Sequence, residues 1–171
     1  MSGKAKTTTP IRSRLRVGST LINQVKEGLG AVDKAHKGYI AEEIRKAFSD
    51  SLEIDENLKE GHDQENRWDY LFGFTAGACV IGLEPHSANA GEISTVIQKR
   101  KAALEQLRPH LKDGAKIAEW FWVASGKNQF LDTEKTRRLL DQKGIRFVCP
   151  RLAAKDLTKL AISAVGTQPK K

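Results

Sequence analysis

Two short apolar segments joined by a tight turn constrain this chain more than any other feature. Residues from Trp68 to Thr75 are dense in aromatics, and from Ala78 to His86 the run ACVIGLEPH is apolar up to a charged end. Both are rich in the residue types that strands favour, and the turn between them holds Ala76 and Gly77, so the pair predicts an antiparallel hairpin. Pro85 has no amide hydrogen for a ladder and marks a strand end, which places Glu84 and His86 at the rim of a sheet. Trp68, Tyr70, Phe72 and Phe74, with Trp120 and Trp122 further on, alternate along strands and are expected in the core rather than on a base-stacking surface.

The rest of the chain arranges itself around this hairpin. Ile40, Ile44, Ala47, Phe48, Ser51 and Leu52 recur at helical spacing and predict a helix, followed by a polar loop, ENLKEGHDQEN. Thr20 to Val32 is weakly periodic and broken by Gly28 and Gly30, as in a short helix or turns. Asn89 with Glu92 three residues on has the form of a capping box, opening a helix that runs to Leu107 before Pro109. IAEWFWVA reads as a central strand covered on both faces. Asp132 or Thr133 caps a short helix ended by Gly144, IRFVC is a last strand, and Leu152 to Val165 adds an amphipathic helix. The order predicts an α/β fold: one domain over residues 19–166 with a small mixed β-sheet flanked by helices, a size at which a single core forms readily.

The net charge of +8 suggests a polyanionic partner until it is apportioned. Five of those charges lie in residues 1–18, as Lys4, Lys6, Arg12, Arg14 and Arg16, and two more are Lys170 and Lys171 in a basic tail over 167–171, which leaves +1 for the body. The first 18 residues offer little to bury and are expected to be a disordered basic arm, either phosphate-seeking or merely solubilising. Cys79 and Cys149 sit in apolar segments and read as reduced core residues. No run is long and apolar enough for a membrane span or a secretory signal, so a cytoplasmic location is expected.

Four residues are candidates for chemistry: Glu43 on the first predicted helix, Asp69 near the start of the hairpin, and Glu84 with His86 at its end. Residues two apart on a strand share a face, so Glu84 and His86 project together. Counting outward from the turn sets Asp69 roughly opposite Glu84, an unfavourable acid pair that a divalent cation would relieve. Ordinary structural roles account for the same residues: a strand start, a hydrogen-bonded turn, a solvated acid. His36, His62 and His110 share no unifying spacing and read as surface residues.

In this order of elements, and in Trp68-Asp69-Tyr70 and Glu84-Pro85-His86, the chain resembles the restriction-endonuclease-like superfamily, the PD-(D/E)XK nucleases, over residues 38–150. Trp68 stands where that motif has proline and His86 where it has lysine, and Glu43 is similar to the acid that some members carry on their first helix. The resemblance implies a restriction-endonuclease-like core with Asp69 and Glu84 as Mg²⁺ ligands, the ion neutralising charge on the scissile phosphate and activating water. A neutral imidazole lacks the fixed charge of an ammonium, and Lys99 or Lys101 on the following helix could supply it instead. The expectation is a protein acting on DNA or RNA, as a Mg²⁺-dependent nuclease or as a degenerate binding relative, with Arg12, Arg14, Arg16, Lys99 and Lys101 contacting phosphates. The alternative is a non-catalytic subunit docking on a larger protein partner. No Gly-x-Gly-x-x-Gly follows a strand and there is no P-loop, which argues against a nucleotide-binding enzyme.

Overall fold

The computed structural model describes residues 8–87, 91–124 and 133–166, with side chains described through residue 161 in the last segment. Among the described residues six strands form one sheet in chain order: β1 (Lys26–Glu27), β2 (Phe48–Glu53), β3 (Tyr70–Phe74), β4 (Cys79–Pro85), β5 (Glu119–Val123) and β6 (Arg146–Val148). Neighbours are antiparallel from β1 to β4 and parallel from β4 to β6. The helices are α1 (Pro10–Arg14), α2 (Ile54–Asn57), α3 (Glu92–Leu107), α4 (Glu134–Gln142) and α5 (Ala154–Gly166). The α/β expectation therefore holds, with a mixed sheet whose parallel part is linked through α3 and α4.

Side-chain alternation sends apolar residues to both faces of the sheet. On one face Leu71, Val80, Trp120 and Trp122 are buried with Ile11 and Leu15 of the N-terminal segment, Val96, Ala103 and Leu107 of α3, and Leu140 of α4. On the other, Phe72, Phe74, Ile81, Leu83, Phe121 and Val123 are buried with Ile40, Ile44 and Phe48, and with Leu157 of α5. All six strand aromatics singled out in the sequence are buried. Cys79 and Cys149 are not joined in a disulfide and are half-buried.

Two sequence expectations need correction. The segment predicted as a helix from Ile40 to Leu52 is a 3₁₀ stretch over Glu42–Ala47 followed by β2. Ile40 and Ile44 do face the core as the helical spacing required, but the free edge of β3 takes up the rest as a ladder partner, a tertiary demand that overrides local period. Residues 10–18 do not form a disordered arm: Ile11 and Leu15 are each 1% exposed, and α1 is held to the sheet because the Asp50 carboxylate of β2 accepts the Ile11 and Arg12 backbone amides at 3.1 and 3.4 Å. The short helix or turns expected from Thr20 are a 3₁₀ stretch over Thr20–Gln24, and the strand β1 follows it.

Thr133 caps α4, its hydroxyl accepting the Thr136 amide at 3.2 Å. The expected cap Asn89 lies outside the described residues, and Gly91 occupies the N-cap position of α3 without a side-chain bond. A parallel bridge joins Ile40 to Leu152, with Leu152 donating its amide to Tyr39 O and accepting that of Ala41, both at 2.8 Å. Among the described residues no helix is long and apolar enough to cross a membrane.

Candidate active site

The rim of the β3–β4 hairpin collects most of the residues picked out by sequence. Tyr70 pairs with Leu83, so the next pair outward sets Asp69 opposite Glu84, and the Asp69 amide donates to Glu84 Oε2 at 2.9 Å. Glu84 shares a sheet face with Val80, towards α3, and has no exposed surface. The end of β4 is also the carboxyl end of a parallel strand beside β5, where open α/β sheets place ligands.

Lys99 reaches this rim from α3. Its ammonium contacts Glu84 Oε1, and the lysine side chain is only 17% exposed. Glu92, Val96, Lys99 and Ala103 follow one another at helical spacing on the face of α3 that meets the sheet, so Lys99 belongs to the buried stripe, not beside it as its charge suggests. Lys101 is exposed, and the described contacts do not join it to the acids. Of the two candidate lysines, Lys99 is the one at the site.

His86 projects beside Glu84. Its Nδ1 lies 3.8 Å from Glu84 Oε1, while its Nε2 is 2.7 Å from the Glu92 carboxylate, which accepts a hydrogen bond. The His86 main chain is fixed as well: its amide donates to Val123 O at 3.1 Å, and its carbonyl accepts Trp122 Nε1 at 3.2 Å. Sequence reasoning overlooked Glu92 as a partner of His86, treating it only as part of a helix cap. The available signal was that Glu92 and Lys99 lie two turns apart on one helix face.

Burial sets the electrostatics. Glu84 is pushed up to about 8 by loss of solvent and by the neighbouring Asp69 charge, against the pull of Lys99. Asp69 is also raised, by burial first, with Lys99 opposing. Burial works against the charge of Lys99, but Glu84 and Asp69 more than offset it and its pKa rises. The ammonium thus stays charged against Glu84, with Asp69 acting on it electrostatically.

Asp69 differs from Glu84 in one respect that matters for a ligand. Both Glu84 oxygens are engaged, whereas among the described residues no hydrogen bond is accepted by the Asp69 carboxylate. The Asp69 carboxyl is thus half-buried and without hydrogen-bond donors among the described residues, near the carboxyl of Glu84. Two carboxylates are the extent of it, since no group of three or more His, Cys, Asp or Glu is placed to hold a metal among the described residues.

The remaining candidates are not at this rim. Glu43 is exposed on the 3₁₀ stretch before β2 and takes no part in the site's hydrogen bonds. Arg12, Arg14 and Arg16 are spent on internal contacts: Arg12 donates to Val25 O at 3.1 Å, Arg14 to Ala78 O at 2.6 Å, and Arg16 to Leu111 O and to Asp113 at 2.8 Å. That engagement removes the basis for reading them as a free phosphate-seeking arm. His36, expected at the surface, is half-buried and lies 2.7 Å from the Tyr70 hydroxyl, which accepts the Asp33 amide at 3.1 Å. Its charge when protonated also bears on Asp69. In comparisons with known proteins, no family model, no curated protein and no solved structure matches this chain.

Proposed function

We propose that this protein acts on nucleic acid through a restriction-endonuclease-like core, as a Mg²⁺-dependent phosphodiesterase whose site is Asp69, Glu84 and Lys99 with His86 alongside. The observation that carries the reading is the Lys99 ammonium seated on Glu84 next to Asp69. A lysine arriving from α3 supplies the fixed positive charge that His86 lacks at the motif position.

Each residue has a part consistent with hydrolysis of a phosphodiester. Asp69 and Glu84 would hold Mg²⁺, and the ion when bound would neutralise charge on the phosphate and lower the pKa of water. The Asp69 amide fixes the orientation of the Glu84 carboxylate through Oε2. Lys99 offers its ammonium to a non-bridging phosphate oxygen, the kind of charge placed in advance that favours a developing negative charge. Glu92 holds the His86 ring so that Nδ1 faces the Glu84 side of the site.

Purified protein incubated with DNA and with RNA in Mg²⁺ or Mn²⁺ tests the proposal. Cleavage that disappears in Asp69→Ala, Glu84→Ala and Lys99→Ala supports it, and cleavage indifferent to all three rules it out. Salt-sensitive binding without any cleavage supports a degenerate relative that keeps the binding surface and not the chemistry.

A further inference from the structure

Pro85 of β4, Val123 of β5 and Val148 of β6 lie level in register, so the rim that carries His86 continues across the parallel strands to the end of β6. Neighbouring strands lie about 4.8 Å apart, which sets the two outer ends of that row about 10 Å from one another. Arg151 stands on the short connection that leads from β6 to α5.

That connection is held on both sides of Arg151. Before it, Val148 O accepts the Ala124 amide at 3.0 Å. After it, Leu152 has no exposed surface, and its amide and carbonyl are bonded to Tyr39 and Ala41, both at 2.8 Å. The Asp156 carboxylate then accepts the Ala153 amide at 2.9 Å and fixes the start of α5. Arg151 itself is exposed, and among the described residues its guanidinium has no partner. Most arginines of this chain are otherwise committed. Arg45, Arg67, Arg137, Arg138 and Arg146 donate to carbonyl or carboxylate oxygens, as the three near the amino end do, and Arg100 lies over the Trp120 ring. Only Arg108 shares with Arg151 both exposure and the lack of a described partner.

We propose that Arg151 anchors the backbone of a nucleic acid at this rim, holding a phosphate a few positions along the strand from the one that faces Lys99 and His86. The inference rests on nucleic acid being the ligand, as set out above. A planar guanidinium matches phosphate oxygens two at a time, and here it is carried on a fixed main chain with no internal contact to break first. Such a contact positions the strand and carries no sequence preference of its own. Arg108 supplies the contrast, because it follows α3, whose 16 residues lead about 24 Å from the rim to the opposite end of the sheet.

The test uses the full chain without divalent ions, so that nothing is cut. Binding of a labelled DNA duplex, and of an RNA of the same sequence, is followed by fluorescence anisotropy over a series of salt concentrations for wild type, Arg151→Gln and Arg108→Gln, with thermal melts to confirm that both variants fold as wild type does. Arg151→Gln is expected to bind several-fold more weakly at low salt, with the slope of log affinity against log salt shallower by about 0.9 on the duplex, the loss of one phosphate contact. Arg108→Gln should keep the affinity and slope of wild type. If Arg151→Gln matches wild type, or if Arg108→Gln loses as much, the anchor at Arg151 is wrong while nucleic-acid binding stands. If wild type binds neither probe, the nucleic-acid reading falls and the anchor falls with it.

Discussion

The Asp50 carboxylate accepts the Ile11 amide at 3.1 Å across 39 residues of chain, tying the first helix to the second strand. Asp50 is fully buried, and burial raises its pKa despite the two amides of α1 that it accepts. Asp50→Ala leaves those amides without an acceptor, a change that costs about 1–3 kcal/mol at a buried position. Chemical denaturation of the variant is expected to show a lower midpoint with an unchanged slope, and a midpoint equal to wild type would mean that the helix is held by other means.

The same attachment makes the start of the chain part of the core. Ile11→Ala removes a side chain that is 1% exposed and is expected to cost about 2–5 kcal/mol. Deleting residues 1–18 should destabilise further, so any loss of nucleic-acid affinity in that deletion has to be compared with Ile11→Ala, which keeps every arginine. Affinity retained by folded Ile11→Ala but lost on deletion would show that the arginines reach phosphate after all.

Gly73 faces the Asp50 carboxylate so closely that a Cβ there would lie 1.8 Å from Oδ1. Gly73→Ala must push Asp50 out of place, and overpacking of this kind costs about 1–3 kcal/mol. Thermal melts should place Gly73→Ala near Asp50→Ala, and the double variant should cost less than the sum of the two, since both act on one contact.

Glu84 carries a predictable pH signature. Its pKa in the fold is about 8 against an ordinary 4.5, so between those values the folded chain holds a proton that the unfolded chain releases. Stability from this group is therefore complete below the lower value and is lost as pH rises through the upper one. Glu84→Gln has no such proton, and its melting temperature is expected to fall less than that of wild type between about pH 5 and about pH 8. Parallel slopes for the two proteins would refute this account of Glu84.

Lys99 and Lys101 offer a direct contrast within one helix. Lys99→Met removes the charge at the acids and is expected to lower cleavage by about 10²–10³-fold, the scale of removing one preorganised electrostatic donor. Lys101→Met leaves the acids untouched and should alter only salt-sensitive affinity. Equal effects on turnover would displace Lys99 from the site.

What the sequence disclosed follows from how local each signal is. The hairpin was legible because residue type and turn spacing agree over Trp68–His86, and that alone brought Asp69 opposite Glu84. β2 was not, since Phe48, Asp50, Ser51 and Leu52 form no strand pattern by themselves and are paired because β3 presents an open ladder. Arg12, Arg14 and Arg16 looked free because charge was visible and their carbonyl partners, up to 95 residues away, were not. Lys99 and Lys101 stood as equal candidates because charge alone does not say which of them meets the sheet, although the position of Lys99 relative to Val96 and Ala103 puts it with them.

The bridge between Ile40 and Leu152 carries a consequence for how the chain tolerates shortening. It laces two distant stretches together, so trimming the carboxyl end back past Leu152 strips the 3₁₀ stretch at Glu42–Ala47 of its mooring as well as removing α5. Protease nicking near residue 40 is then expected to accelerate in a version ending at Pro150, a remote breach opened by a cut more than a hundred positions away.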